Sequence, residues 1–321
     1  MSEPPPPAWP PSLDERDIIQ ALLTDRLPAL EGLIRVDAGD DGAVLGDGTV
    51  LTHDTMVEGV HWDDHLHPAD VGWKLVAVNA SDVGAMGGQP LWALLSLCLP
   101  RPAPAAWLMG FREGLHEGLR HYGVALIGGD TTRSPGPIIA GLSMGGRVRH
   151  PVTRGGARPG DGLWVTGSLG EAAAGFYFGG PGLAALRRPR PPVAFGAALA
   201  EAGLATAMMD LSDGLAADLP RLCAASGVGA RVSAAALPRG PALQACPDTA
   251  RPAPLALQVA FGDDYELLLT APESQAGALL ALAHRLGTPL TRIGDITDDG
   301  RVNLVDAAWP SPLFSHFSAD A

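Results

Sequence analysis

Five short segments set aspartates beside glycines and hydroxyl residues: Gly39-Asp40-Asp41-Gly42, His53-Asp54-Thr55, Ser81-Asp82, Gly128-Gly129-Asp130-Thr131 and Asp210-Leu211-Ser212-Asp213-Gly214. Magnesium takes oxygen ligands in a tight octahedron and commonly bridges protein carboxylates to substrate phosphates. Scattered Asp-bearing turns are one way to collect several such ions. The chain has a single lysine, Lys74, and the residues before it, Asp70-Val71-Gly72-Trp73, are not a Gly-rich phosphate loop, so a Walker-type nucleotide site is excluded. His-Arg-Asp and Asp-Phe-Gly elements of the protein-kinase kind are also absent from the sequence. Phosphate chemistry in this chain must run through metals and arginines, and Arg154 and Arg158 carry the planar fork that matches a phosphate.

Each segment also has a plainer reading. Asp-Asp-Gly is usually a turn, and Thr297-Asp298-Asp299-Gly300 is read as one. Residues 39–42 differ because four more Asp-bearing turns follow apolar segments in the order expected of a shared cleft. The Ser212 or Asp213 side chain is expected to cap a helix as well as to serve a metal. His61, His65 and His67 have a zinc-like spacing, but with Asp63, Asp64 and Pro68 among them an exposed loop is expected, and His65 and His67 are read as loop residues.

Composition narrows the classes. With 321 residues, 46% hydrophobic and a formal charge of −13, the chain can bury two cores of ordinary size and lacks the basic face that nucleic acid or an anionic membrane needs. Divalent cations would offset the repulsion of an anionic substrate. Cys98, Cys223 and Cys246 are few and far apart, which suits buried thiols in a reducing cytosol. No apolar run reaches the roughly 20 residues that cross a bilayer. Residues 1–12 hold a proline run with no secretory leader and are expected to be a disordered or polyproline segment. A cytoplasmic protein is the expectation.

The elements that must position these residues follow from periodicity. A capping box at residues 12–15 opens an entry helix whose apolar spacing runs to Leu30. Strands are expected at 43–45 and 50–57 around the Gly46-Asp47-Gly48 turn, then a helix over 68–86, a strand over 91–99 and a helix over 105–122. A strand over 124–127 runs into the glycines before Asp130, and 138–148 returns. The first domain is assigned to 13–150 and the second to 151–321, opening with a Gly/Pro/Arg-rich link. In the second, strands are expected at 163–166, 207–210, 265–270 and 302–305, with helices at 168–178, 193–202, 213–226 and 273–286. The Pro-rich stretch 181–192 reads as an exposed excursion. The alternation gives an α/β or α+β class.

Taken in order, these strings resemble the thiamine-monophosphate kinase family of the aminoimidazole ribonucleotide synthetase superfamily. The resemblance runs from about residue 39 to 317. It is carried by Gly39-Asp40-Asp41, the segment 54–62 ending in His61-Trp62, Gly72-Trp73-Lys74 through Ser81-Asp82 to Gly87-Gly88, Gly128-Gly129-Asp130-Thr131-Thr132, Thr153-Arg154 with Gly160-Asp161, the segment 210–215, and Asp264-Tyr265-Glu266-Leu267. It implies ATP-dependent phosphorylation of thiamine monophosphate to thiamine diphosphate, and a two-domain fold whose N-terminal sheet pairs across a homodimer. By position it implies magnesium ions on Asp41, Thr52, His53, Asp54, Asp82, Asp130, Asp210 and Asp213, and ATP contacts from Gly129, Asp130, Arg154 and Ser212. Contacts to thiamine monophosphate fall to His61, Asp263 and Phe314, with Trp309 an alternative for stacking. No separate catalytic residue is implied. The chain departs from the family pattern at His53, where Ser or Thr is usual, and at Asp263, where Glu is usual. Other enzymes of the superfamily, a metal-dependent phosphohydrolase and a non-catalytic ATP-binding relative stand as alternatives.

Overall fold

The computed structural model describes residues 15–24, 32–63, 66–247, 249–311 and 313. Residues 1–12, most of the capping box, His65 and Phe314 lie outside these. The first half contains helix α1 (Glu15–Leu23), strands β1 (Ile34–Val36), β2 (Ala43–Leu45) and β3 (Thr49–Val57), helix α2 (Pro68–Ala85), strand β4 (Gln89–Leu99), helix α3 (Ala105–Tyr122), and strands β5 (Ala125–Arg133) and β6 (Ile139–Arg147). Its sheet has the order β1-β2-β3-β6-β4-β5. Among the described strands of this sheet, only β4 and β5 pair in parallel, across the α3 crossover. Alternation along β3 sends Val50, Thr52, Asp54 and Met56 towards α2, while His53 and Thr55 face the other way. Val50 and Met56 join Leu142 and Met144 of β6, Val71, Leu75 and Val76 of α2, and Phe111 and Leu115 of α3 in one core.

The second half contains β7 (Asp161–Thr166), α4 (Glu171–Phe178), α5 (Leu183–Arg187), α6 (Val193–Ala202), β8 (Ala207–Asp210), α7 (Leu215–Ser226), β9 (Gly229–Ser233), α8 (Pro241–Gln244), α9 (Pro254–Val259), β10 (Leu267–Pro272), α10 (Ala276–Leu286), β11 (Leu290–Thr297) and β12 (Val302–Val305). The strand order is β12-β9-β11-β7-β10-β8. Leu215, Leu219 and Leu222 of α7 pack on one face; Phe195 and Leu199 of α6 with Leu279 and Leu282 of α10 cover the other. Burial on both faces explains why β7 and β10 read as unbroken apolar runs rather than alternating ones.

Helix α2 is the wall common to both halves. Fifteen of its residues are buried, because it meets α3 and its own sheet on one side and α6 and β8 on the other. The approach to α6 needs bare backbone: a Cβ on Gly196 would sit 2.2 Å from the Gly84 carbonyl.

Several expectations need correction. Within the described residues α1 ends at Leu23. Strands β1, β9 and β11 carried too few or too mixed residues to be read. Strand β5 does not stop at Ile127 but continues through Gly128 and Gly129 to Arg133. The 181–192 stretch is not an exposed excursion: it contains α5, and the Trp73 indole N–H donates to the Pro189 carbonyl at 2.9 Å. Helix α7 begins at Leu215 behind Gly214, with no side-chain cap from Ser212 or Asp213. Strand β10 starts at Leu267 rather than Tyr265, since Asp263 and Tyr265 sit at φ 62° and 50°, outside any strand conformation. The 297–300 segment is the expected turn, between β11 and β12.

Candidate metal and phosphate site

Three aspartates from distant parts of the chain meet where α2 passes between the sheets. Carboxylate oxygens of Asp41, Asp82 and Asp210 all lie within 4.8 Å of one another. Asp41 comes from the turn before β2, Asp82 from the last turn of α2 and Asp210 from the end of β8. The Thr52 hydroxyl, on the inward face of β3, donates to Asp82 Oδ2 at 2.5 Å. Ser81 Oγ donates to Asp210 Oδ2 at 2.6 Å. Asp54 lies beside Asp82 and shares a side-chain hydrogen bond with it, and its backbone N–H donates to Asn79 Oδ1 at 3.3 Å.

Crowding acids away from water raises their affinity for protons. Burial, then the neighbouring Asp210 charge, pushes Asp41 up to about 8, against the pull of Arg154. Burial pushes Asp210 up to about 7. Asp82 is raised well above the carboxylate range by burial and by the Asp54, Asp210 and Asp41 charges. The compensating cation is Arg154, whose Nη2 lies 2.5 Å from Asp41 Oδ1 and whose backbone N–H donates to Asp40 Oδ1 at 3.0 Å. The second oxygen of Asp41 is buried without a hydrogen-bond partner. Hard oxygen donors, excess buried negative charge and an orphaned carboxylate oxygen together fit divalent cations of the magnesium type.

A second acid pair adjoins the first. Asp213 and Asp218 both bind Arg221, at 2.5 and 2.6 Å, and Asp218 also accepts the Asp213 N–H at 3.1 Å. Asp218 is fully buried and pushed up to about 7, chiefly by desolvation. The sequence reading missed it, because an acid in the first turn of a helix looks like an ordinary dipole partner.

The loop 261–266 is knitted to this segment by three backbone hydrogen bonds. Asp263 N–H donates to the Ser212 carbonyl, Tyr265 N–H to the Leu211 carbonyl and Leu211 N–H to the Glu266 carbonyl, each at 2.8 Å. Gly262 makes this possible: it sits at φ 91°, and a Cβ there would be 2.3 Å from the Ser212 carbonyl. Asp263 then accepts from Lys74 Nζ at 2.7 Å and from the Tyr265 hydroxyl at 3.0 Å. In sequence Lys74 serves only to exclude a Walker-type loop and as part of a matching string; the signal for a site role is a solitary lysine in an apolar helix. Beyond Asp263 opens a cavity of about 630 Å³ lined by Asp70, Glu171, Arg187, Arg190, Asp263 and Glu266 among others. Its lining mixes both signs of charge.

Other expected residues are not brought to the carboxylates within one chain. Asp130 pairs with Ser96 across β4 and β5, on the sheet face opposite Asp54, and Gly129 precedes it on the same exposed edge strand. The His53 imidazole is on that outer face too, bound to Ser143 Oγ at 2.9 Å and Thr55 Oγ1 at 3.1 Å. Strand alternation therefore removes the imidazole from the cluster. His61 accepts the Val57 N–H at Nδ1, and His67 caps α2 by accepting the Ala69 N–H, so both imidazoles have local structural partners. The Trp309 indole donates to the Val302 carbonyl at 3.1 Å and packs on the second core. Phe314 lies outside the described residues.

The chain matches the family described as AIR synthase related protein, N-terminal domain, over residues 39–148, and the corresponding C-terminal domain over residues 158–307. It is 38% identical to a thiamine-monophosphate kinase of Escherichia coli O157:H7, covering 86% of this chain and 88% of that one. A thiamine-monophosphate kinase of Methanopyrus kandleri is 36% identical over 95% of this chain and 96% of its own. Among solved structures, a thiamine-monophosphate kinase from Stenotrophomonas maltophilia K279a superposes with a TM-score of 0.76 at 36% identity, covering 92% of this chain and 96% of that one. AaThiL complexed with AMPPCP and TMP gives 0.81 at 27% identity, covering 95% and 97%.

Proposed function

The chain belongs to the thiamine-monophosphate kinase family of the AIR synthase related proteins, and from that premise we propose how its own residues carry the reaction. The activity is ATP-dependent phosphorylation of thiamine monophosphate to thiamine diphosphate. The observation that carries the local reading is the meeting of Asp41, Asp82 and Asp210.

The reaction joins an acceptor phosphate oxygen to the γ-phosphorus of ATP and releases ADP. With a second pKa near 6, the acceptor phosphate is largely ionised at neutral pH, so no side chain has to remove a proton. What the protein must do is place two polyanions in line and offset their charge. Asp41, Thr52, Asp54, Asp82 and Asp210 would hold magnesium ions, with Asp213 as a further ligand where the nucleotide extends; Asp130, on the outer sheet face, would reach a nucleotide only across a subunit contact. Bound there, the ions would supply charge neutralisation and alignment of the phosphate oxygens. Arg154, already anchored by Asp40 and Asp41, presents the guanidinium to the nucleotide phosphates. Ser212 stands at the segment leading into α7, next to them. Asp263 and the mixed-charge cavity receive the acceptor, whose phosphate and cationic ring need both signs. His61 and Phe314 keep their expected roles as acceptor contacts.

A homodimer is the proposed assembly. Its support is β5, an edge strand of nine residues, all exposed, with Ile127 at 62%. Bare apolar edges of this length are normally covered. A second copy would shield it and the outer sheet face that bears Gly129 and Asp130.

The deciding experiment is ATP turnover with and without thiamine monophosphate, with thiamine diphosphate measured as product. Turnover that ignores thiamine monophosphate would indicate a phosphohydrolase instead. Asp210→Asn should abolish product formation while leaving the circular dichroism spectrum intact. Normal rates in that variant would overturn the metal reading.

A further inference from the structure

We propose that Lys74 is a positioning residue, which sets Asp263 for the nitrogen-rich ring end of the acceptor. The inference rests on the kinase reading above and adds to it a residue that the carboxylate cluster does not explain.

Lys74 is the chain's one lysine, and only 4% of it is exposed. Burying an ammonium is costly unless a partner offsets the lost hydration. Its partner is Asp263, reached at 2.7 Å from a different domain half. Asp263 is not a buried structural acid: its side chain keeps 26% of its exposure and lines the cavity. One of its oxygens accepts from Lys74 and the other from the Tyr265 hydroxyl. A carboxylate has about four lone-pair sites, so the remaining capacity is free to accept N–H donors or face a cationic ring from the cavity side.

Helix α2 sets the spacing. Ser81 holds Asp210 of the metal cluster, and Lys74 is seven residues earlier, two turns back on the same helical face and about 10 Å away along the axis. One rigid helix therefore fixes both ends of the acceptor's berth, the phosphate end through Ser81 and Asp82 and the ring end through Lys74. Lys74 also holds the plane of the Asp263 carboxylate while the backbone sits at φ 62°.

The test is a double-mutant cycle in the full-length protein, with KM for thiamine monophosphate, KM for ATP and kcat measured separately. Lys74→Met should raise KM for thiamine monophosphate about tenfold or more, leaving AMPPCP affinity within about twofold. Lys74→Arg should restore most of that loss. In an Asp263→Asn background, Lys74→Met should have no further effect on this KM, because the residue acts through the carboxylate. Three results would overturn the proposal: an unchanged KM in Lys74→Met, an undiminished effect in the Asp263→Asn background, which would mean that the ammonium touches the acceptor itself, or a parallel loss of AMPPCP binding, which would mean a general structural role. Failure of the kinase reading is distinguishable, since it would appear as absent thiamine diphosphate formation in the unaltered protein.

Discussion

At the scale of residues, the site depends on side chains that are costly to the fold on their own. Asp41 and Asp210 are buried among other acids, and burial first of all raises their affinity for protons, with the Asp210 charge adding to it at Asp41 and the Asp218 and Asp54 charges at Asp210. Such groups persist when function needs them. Gly262 contributes in a different way, by letting the acceptor loop lie on Ser212. Gly262→Ala would force a Cβ into the Ser212 carbonyl at an unfavourable φ, at a cost of more than about 1 kcal/mol. The expected outcome is a lower melting temperature together with a raised KM for thiamine monophosphate. A variant with unaltered kinetics and stability would mean that the loop is not held there. Asp40 and Asp41 were legible in sequence as part of a constellation. Asp218 was not, because its burial is set by tertiary packing and in sequence it is only an acid in the first turn of a helix.

At the scale of elements, legibility followed the clarity of the periodic signal. Helices α2 and α3 were read almost to the residue, since proline at the start of α2 and Gly123 after α3 mark their limits. Strand β1 spans three residues, and β9 begins with Gly-Ala and carries an exposed arginine, so neither has a strong pattern. Strand β5 was cut short because two consecutive glycines read as a terminator, whereas here they continue the ladder beside β4. That strand also carries the proposed assembly. Placing a charge on it, as in Ile127→Lys, should convert the protein from dimer to monomer in analytical ultracentrifugation. A monomeric unaltered protein would refute the assignment of β5 to a subunit contact.

At the scale of the whole molecule, the buried acids tie stability to pH and to ions. Asp41, Asp210, Asp218 and Glu266 are each pushed up to about 7 or 8, with burial the leading cause. A carboxyl whose folded pKa is raised binds its proton more tightly folded than unfolded. Between the ordinary carboxylate range and about pH 7 to 8, the ion-free folded chain therefore holds more protons, and its stability falls as pH climbs through that window. Magnesium favours the ionised cluster and acts in the opposite sense. The gain in melting temperature on adding magnesium should be small at pH 5.5 and several degrees at pH 8. An equal gain at both would remove the cluster as the binding site. The described residues contain no helix long and apolar enough to cross a membrane.

Because α2 lies against both sheets and is buried along nearly its full length, the two halves of the molecule cannot swing apart like jaws without wetting that helix. The arginine- and proline-rich strap after α5, which lines the cavity, is tied back to that helix and to α3 by Arg188, paired with Asp70 and Glu117.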